Sequence, residues 1–314
     1  LERAEQERDE DRQGGAPATG IFRGPASVTR AAAGGSSASR RVLALAEPAW
    51  YEHLAAMIES VGTTAFGPSL AEAARHVVKF DHMVIFAYRG DARPRCLFDT
   101  FTPEERHIFV TLYQEGPYLL DPFFHACRAG RRPGIFRMRE LAPDRFYQSE
   151  YFRSYYNKTG LAEEVGHFLP LEGGLMVAIS LMRAGQSGAF SDHDLARLRI
   201  IEPVIRAVAQ RHWANLSRDW RADGSDRRPG KLDLDTLLKG AFAGDGRPRL
   251  TRREGEIASL VLRGHSSESI GRLLGVAPGT IKIHRKNIYR KLKISSQAEM
   301  FSFFLDALPD SYLS

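Results

Sequence analysis

Apolar residues at helical spacing mark out four short helices between residues 249 and 314. Ile257, Leu260 and Val261 fall at i, i+3, i+4. Thr251 and Glu254 precede them as a capping box, hydroxyl at N-cap and carboxylate at N3. Gly264 ends that helix. The spacing returns in Ile270, Leu273 and Leu274, with Ser266 placed to cap the second helix and Gly275 to stop it. Pro278 fits the first position of a third helix running to about Lys293. A fourth, Gln297 to Leu308, offers Phe301, Phe304, Leu305 and Leu308.

Residues 46–213 carry a different pattern. Leu54, Met57, Ile58 and Val61 form one stripe of a helix over Glu52 to Val61. The run from His82 to Tyr88 is apolar enough for a buried strand. Thr102-Pro103-Glu104-Glu105 opens a helix reaching Tyr113. Gly166 to Pro170 and Leu175 to Leu181 pair as strands around Glu172 to Gly174. Ser191 caps a long helix, Asp192 to His212, which should kink or open at Pro203. Helix, strands, helices, strands and long helix make an α+β order, an antiparallel sheet with helices similar to PAS and GAF sensor folds. Residues 214–248 have linker composition, with a short amphipathic helix from Leu232 to Phe242. Residues 1–45 hold too few large apolar side chains to offset their ordering entropy, which predicts a disordered arm.

A length of 314 residues leaves room for two cores. No apolar run approaches the roughly 18 residues of a membrane span, and the start lacks the pattern of a secretory signal. The two cysteines, Cys96 and Cys127, supply neither a disulfide framework nor a four-ligand zinc site. These features predict a cytoplasmic protein without metal or cofactor. No P-loop, metal motif or Gly-x-Ser-x-Gly argues for an enzyme.

Charge is unevenly placed. Residues 247–314 hold twelve Lys/Arg and six Asp/Glu, equal to the net +6 of the whole chain, so the rest balances near zero. The third helix and its cap carry six Lys/Arg and no acid. On a helical wheel Ile281, Ile288 and Leu292 share one side, while Lys282, Lys286, Arg290 and Lys293 share the other. A short helix, a tight turn and a cationic helix are what major-groove insertion into double-stranded DNA requires. Phosphates supply most of the affinity and base edges the choice of sequence.

Residues 249–308 resemble the DNA-binding domain of the LuxR/FixJ/GerE transcription factors. By that resemblance Lys282, Ile283 and Lys286 face bases. Thr280, His284 and Asn287 approach the sugar-phosphate backbone or brace the helix, and Arg290 extends the cationic face. A homodimer is implied, since one such domain covers a half-site. The chain departs from the family in four places. Ser269 replaces a Glu that would complete a capping box, Gly271 replaces Ala, Ala277 replaces a capping Ser, and Gly255 lies inside the first helix. Each predicts a loss of about 0.5–1 kcal/mol of helix stability.

Tyr118-Leu-Leu-Asp121-Pro122, with Gly160-Leu-Ala-Glu163 and Leu169-Pro170, resembles the autoinducer-binding domain of quorum-sensing regulators. The resemblance gives Asp121 the amide hydrogen of a bound acyl-homoserine lactone and makes Tyr113, Tyr118 and Phe136 pocket walls. Two tryptophans of that pocket are replaced, by Ile108 and Phe136. An unpaired lactone carbonyl would cost roughly 1–3 kcal/mol, so the expected effector is a small molecule of another class. Downstream, Phe146, Tyr147, Tyr151, Phe152, Tyr155 and Tyr156 have the spacing for one aromatic helix face. The alternative reading keeps DNA binding but gives the N-terminal domain only dimerisation or a protein partner. A phosphorylated receiver finds no support, because no acidic cluster at strand ends accompanies a distal Lys.

Overall fold

The computed structural model describes residues 47–154, 159–222 and 250–306. The arm at 1–45, the Leu232–Phe242 segment with most of the linker, Tyr155, Tyr156 and Leu308 lie outside them.

Two strands, β1 (His82–Arg89) and β5 (Leu175–Ala184), are buried at nearly every position because both faces of their sheet are covered. With β2 (Arg95–Asp99), β3 (Gly134–Arg137) and β4 (Leu161–Pro170) they form a five-stranded antiparallel sheet, ordered β2-β1-β5-β4-β3. The β4–β5 hairpin read from the sequence is present and extends further at its open end. Glu172–Gly174 makes its turn.

Strand alternation sends Met83, Ile85, Ala87, Val177 and Ile179 to one face. There they pack with α1 (Pro48–Glu59), α2 (Phe66–Val77), α7 (Asp192–His212) and α8 (Leu216–Ala222). Fully buried Trp220 anchors α8, with Arg95 over its ring at 4.0 Å. Helix α7 continues through Pro203, which lies on the exposed side, where the carbonyl left without a donor can reach water.

Val84, Phe86, Tyr88, Ala178 and Met182 take the other face. Their cover starts with α3 (Pro103–Arg106), which a π-helical turn, His107–Leu112, continues. A 3₁₀ turn, Pro117–Leu120, leads into α4 (Pro122–Arg128). Beyond β3 come α5 (Met138–Leu141), a second 3₁₀ turn at Phe146–Gln148, and α6 (Glu150–Ser154). The expected single aromatic helix is therefore split. Ser149 causes the break: its hydroxyl donates to the Phe146 carbonyl at 2.6 Å and accepts from the Phe152 amide at 3.2 Å.

The C-terminal part has the four expected helices: α9 (Arg252–Leu262), α10 (Ser267–Leu274), α11 (Pro278–Leu292) and α12 (Gln297–Asp306). The Thr251–Glu254 box opens α9, Ser266 caps α10, and Gly275 ends it in the left-handed conformation. Ile281, Ile288 and Leu292 are buried together with Ile257 and Phe304. Leu273 and Leu305, both expected inward, are exposed.

Both parts share one apolar cluster, and residues 144–146 of the N-terminal part bond to the turn between α9 and α10. The Arg145 amide donates to the Gly264 carbonyl at 2.9 Å, and the Ser266 amide donates to Asp144 Oδ1 at 3.0 Å. Gly264 has φ +94°, and a Cβ there would lie 2.7 Å from the Phe146 Cα. Only glycine permits this approach.

Candidate nucleic-acid interface and sensor cavity

Helix α11 starts at Pro278 with no side-chain cap, as the Ala277 departure predicts. Thr280, Lys282, Ile283, Lys286 and Arg290 are exposed on it, while His284 and Asn287 are half-buried. Ile283 is 62% exposed between the two lysines, an apolar side chain that the fold itself does not use. Asn287 Oδ1 accepts from Arg290 at 3.1 Å, so it braces the outer face. Among the described residues Lys282 has a distant partner, Glu268 at 3.9 Å, with both side chains exposed. A weak pair of this kind yields readily to phosphate.

Lys291 is different. Its ammonium donates to Glu254 Oε2 at 2.6 Å, and that carboxylate also accepts from the Thr251 amide and hydroxyl. Burial raises the Glu254 carboxyl, but Lys291 and Thr251 prevail and hold it below the usual carboxylate range. Sequence reading counted Lys291 with the cationic helix; the structure uses it to tie α11 to the start of α9. Gly271 also reads differently here. A Cβ on it would meet the Val276 carbonyl oxygen at 2.7 Å, so in this turn the glycine relieves a close approach and does not merely weaken a helix.

In the N-terminal part a cavity of about 30 Å³ lies against the sheet, room for about one water. Among its lining groups are Tyr88, Tyr113, Asp121, Tyr151, Glu164 and Ser180. Asp121 caps α4 through the Phe123 amide at 2.8 Å. Its other oxygen accepts from the Tyr113 hydroxyl at 2.5 Å, and the Tyr88 and Tyr113 hydroxyls are 3.0 Å apart. Burial pushes the Asp121 carboxyl up to about 6 against the pull of Tyr113 and the Phe123 and Phe124 amides. Burial, with Asp121 nearby, also drives both phenols well above their usual range, so they stay protonated donors.

Two expected wall residues are elsewhere. Tyr118 is wholly buried in the core, edge-on to Phe124 at 5.1 Å. Phe136 faces Phe168 at 5.6 Å under the Arg131 guanidinium. Neither lines the cavity, because β3 and the 3₁₀ turn before α4 send both rings into packing. Ile108 is also a packing residue. Tyr88, Glu164 and Ser180 escaped the sequence reading; their only signal was a polar group within apolar strand residues.

The cationic third helix on a four-helix unit, joined to an α+β domain, defines a helix-turn-helix regulator class. Residues 248–304 match the family described as GerE, bacterial regulatory proteins, luxR family. An HTH-type transcriptional regulator in the exeN 3′ region of Aeromonas salmonicida is 36% identical over 188 residues, covering 60% of this chain and 94% of that protein. The transcriptional regulatory protein MctR of Rhizobium johnstonii is 36% identical over 69 residues, 22% of this chain and 32% of its own. Among solved structures, the VqsR LBD domain of Pseudomonas aeruginosa is 25% identical, covers 53% of this chain and 97% of its own, and has a TM-score of 0.47. Escherichia coli SdiA is 16% identical over 83% of this chain and 97% of its own, at TM-score 0.38. The chain belongs to the luxR family of bacterial transcriptional regulators. No helix among the described residues is long and apolar enough to cross a membrane.

Proposed function

We propose that the chain is a one-component regulator that reads duplex DNA with α11 and is controlled through its N-terminal domain. The observation that carries this reading is the free outer face of α11. Lysines near a recognition-helix N-terminus reach guanine O6 and N7, and an apolar side chain between them suits a thymine methyl. Lys282, Ile283 and Lys286 take those roles, with Thr280, His284, Asn287 and Arg290 on the backbone side. Lys282→Ala or Lys286→Ala should each weaken specific binding by about 1–3 kcal/mol in a gel-shift titration. Wild-type affinity in both variants would overturn the placement.

The effector of this reading is a small molecule, not a standard acyl-homoserine lactone, that presents N–H or O–H donors to Asp121. Support comes from polar groups gathered on one wall of an apolar core, where a ligand donor would join the hydrogen-bonded set of Asp121, Tyr113 and Tyr88. Glu164 is a second carboxylate on that wall, which favours a cationic or multiply donating ligand. The cavity must open to admit it. Its small volume favours a second reading, in which the domain only dimerises or holds a protein partner. Titration of amines, amides, aromatic acids and lactones by thermal shift separates the two: stabilisation lost in Asp121→Asn supports the first, and no response in any class supports the second.

Dimerisation has its own support. Ile200, Pro203, Val204 and Ala207 are exposed at i, i+3, i+4, i+7 along α7, with Ile200 47% and Val204 39% exposed. An apolar stripe at this spacing fits a second copy of the same helix.

A further inference from the structure

The turn between α9 and α10 holds residues 144–146 of the N-terminal domain at the edge of the DNA-reading face. The Arg145 amide donates to the Gly264 carbonyl at 2.9 Å, and a Cβ on Gly264 would lie 3.2 Å from the Arg145 carbonyl carbon. The Arg145 backbone is thus seated on the turn, while the residue as a whole is exposed. Glu268 stands in the first turn of α10, its carboxylate 3.9 Å from the Lys282 ammonium of α11. Its own amide is the main cause that holds the Glu268 carboxyl below the usual range, and Lys282 and Arg145 both add to the lowering. Arg145 and Lys282 therefore address one carboxylate from the two parts of the molecule. Docking leaves the outer face of α11 open: Lys282, Ile283 and Lys286 are exposed.

We infer that Arg145 of the N-terminal domain contacts the DNA backbone, so that both parts of the protein hold the duplex at once. The inference rests on the reading of α11 as the DNA-reading helix. When a recognition helix enters the major groove, the helix before it crosses the sugar-phosphate backbone. Here that helix is α10, and Arg145 stands beside its first turn. A strand presents one phosphate for every ~3.4 Å of axis, so the strand that crosses α10 beside Lys282 brings a phosphate within range of Arg145. A guanidinium suits this role because its fork donates to two phosphate oxygens. Glu268 is exposed, so its attraction for Arg145 is weak in water and yields to phosphate. Neighbouring Asp144 has Oδ1 turned to the Ser266 amide.

The contact carries no base information. It exists only while the two parts are docked, so DNA favours the docked arrangement over a separated one. By the same coupling, whatever loosens docking weakens DNA binding.

Fluorescence anisotropy of the full chain on a labelled mixed-sequence duplex, across a salt series, tests this. Arg145→Ala should weaken binding severalfold and flatten the dependence of log K on log salt by about one unit. Arg145→Lys keeps the charge and should retain the slope. The main-chain bond to Gly264 is available in both variants. Arg75→Gln, which removes a cation on α2, should change nothing. The Arg145→Ala loss should persist in a Glu268→Gln background, because the guanidinium acts on DNA and not through that carboxylate. If Arg290→Ala flattens the slope and Arg145→Ala does not, this proposal falls and the reading of α11 stands. If neither variant changes the slope, both fall. A loss that Glu268→Gln abolishes, one confined to the melting temperature, or one that Arg75→Gln reproduces would also overturn the proposal.

Discussion

Replacing Asp144 with Ala removes a cap from a helix to which Asp144 does not belong. The Ser266 hydroxyl accepts from the Ser269 amide at 3.0 Å, the first half of a capping box for α10. The second half needs an acceptor for the Ser266 amide, and Ser269 stands where a Glu would supply it. Its hydroxyl is instead 3.0 Å from His265 Nδ1. Asp144 Oδ1 fills the gap from the other domain at 3.0 Å. Loss of such a cap costs about 0.5–2 kcal/mol. Ser266 is buried, which argues for the upper half of that range, but Asp144 is exposed and water screens its charge. About 1 kcal/mol is the expected result, or roughly 2–4 °C in Tm for a unit of this size. Burial raises the Asp144 carboxyl, but its bonds to Ser266 outweigh this and hold it below the usual range. Its contribution is therefore complete above the unfolded value of about 3.9 and is lost as pH falls through the folded one. Calorimetric scans of wild type, Asp144→Ala, Ser269→Glu and the double variant at pH 7 decide the matter. Glu at 269 completes the box within α10, so the double variant should recover most of the loss. A neutral Asp144→Ala, or a loss that Ser269→Glu leaves unrepaired, refutes the shared cap.

Lys291→Met should lower thermal stability yet leave the salt dependence of DNA binding unchanged, because its ammonium is spent on Glu254; Arg290→Ala should flatten that dependence by about one unit. Fluorescence anisotropy across a salt series reads both, and a flattened slope for Lys291→Met would refute the assignment. Asp121 holds its proton more tightly folded, at about 6, than unfolded, at about 3.9. Its contribution favours the fold below about pH 4 and is lost as pH rises through about 6. Asp121→Asn should abolish that decline, and parallel urea midpoints for the two proteins between pH 4 and 7 would count against it. Ile200→Glu should shift sedimentation toward monomer with secondary structure unchanged; an unaltered dimer would place the interface elsewhere.

The C-terminal helices were legible because their boundaries are written in local chemistry: a capping box, two stop glycines and a helix-opening proline. In β1, β4 and β5 the apolar runs were long enough to stand out. Strand β3, of four residues, and β2, flanked by arginines and Pro94, were not. Helix α2 was missed because no side chain caps its start and small residues dilute its buried stripe: Gly67, Ala71, Ala73 and Ala74 stand among Phe66, Leu70 and Val77. At the DNA-reading face, helical spacing located Lys282, Lys286 and Arg290, and the family resemblance added Thr280 and Ile283; neither could separate Lys291 from its neighbours, since its partner is 37 positions away. The lining of the N-terminal cavity was less legible. Asp121 and Tyr113 reach the cavity together because one caps α4 and the other ends the preceding helical turn. Tyr118 and Phe136 depend on how the chain turns between elements, and periodicity says nothing about that.

The seat for the α9–α10 turn is made early in the chain and used late. Residues 144–146 leave the ribosome ahead of Gly264 and Ser266, which follow some 120 positions later. Domains generally fold as units in order of synthesis, so the N-terminal domain offers a finished template before the second unit exists. The apolar cluster that continues from one to the other is then completed by docking and not by collapse. On this order of events, a lesion in the N-terminal domain delays maturation of the DNA-reading unit without touching one of its own residues.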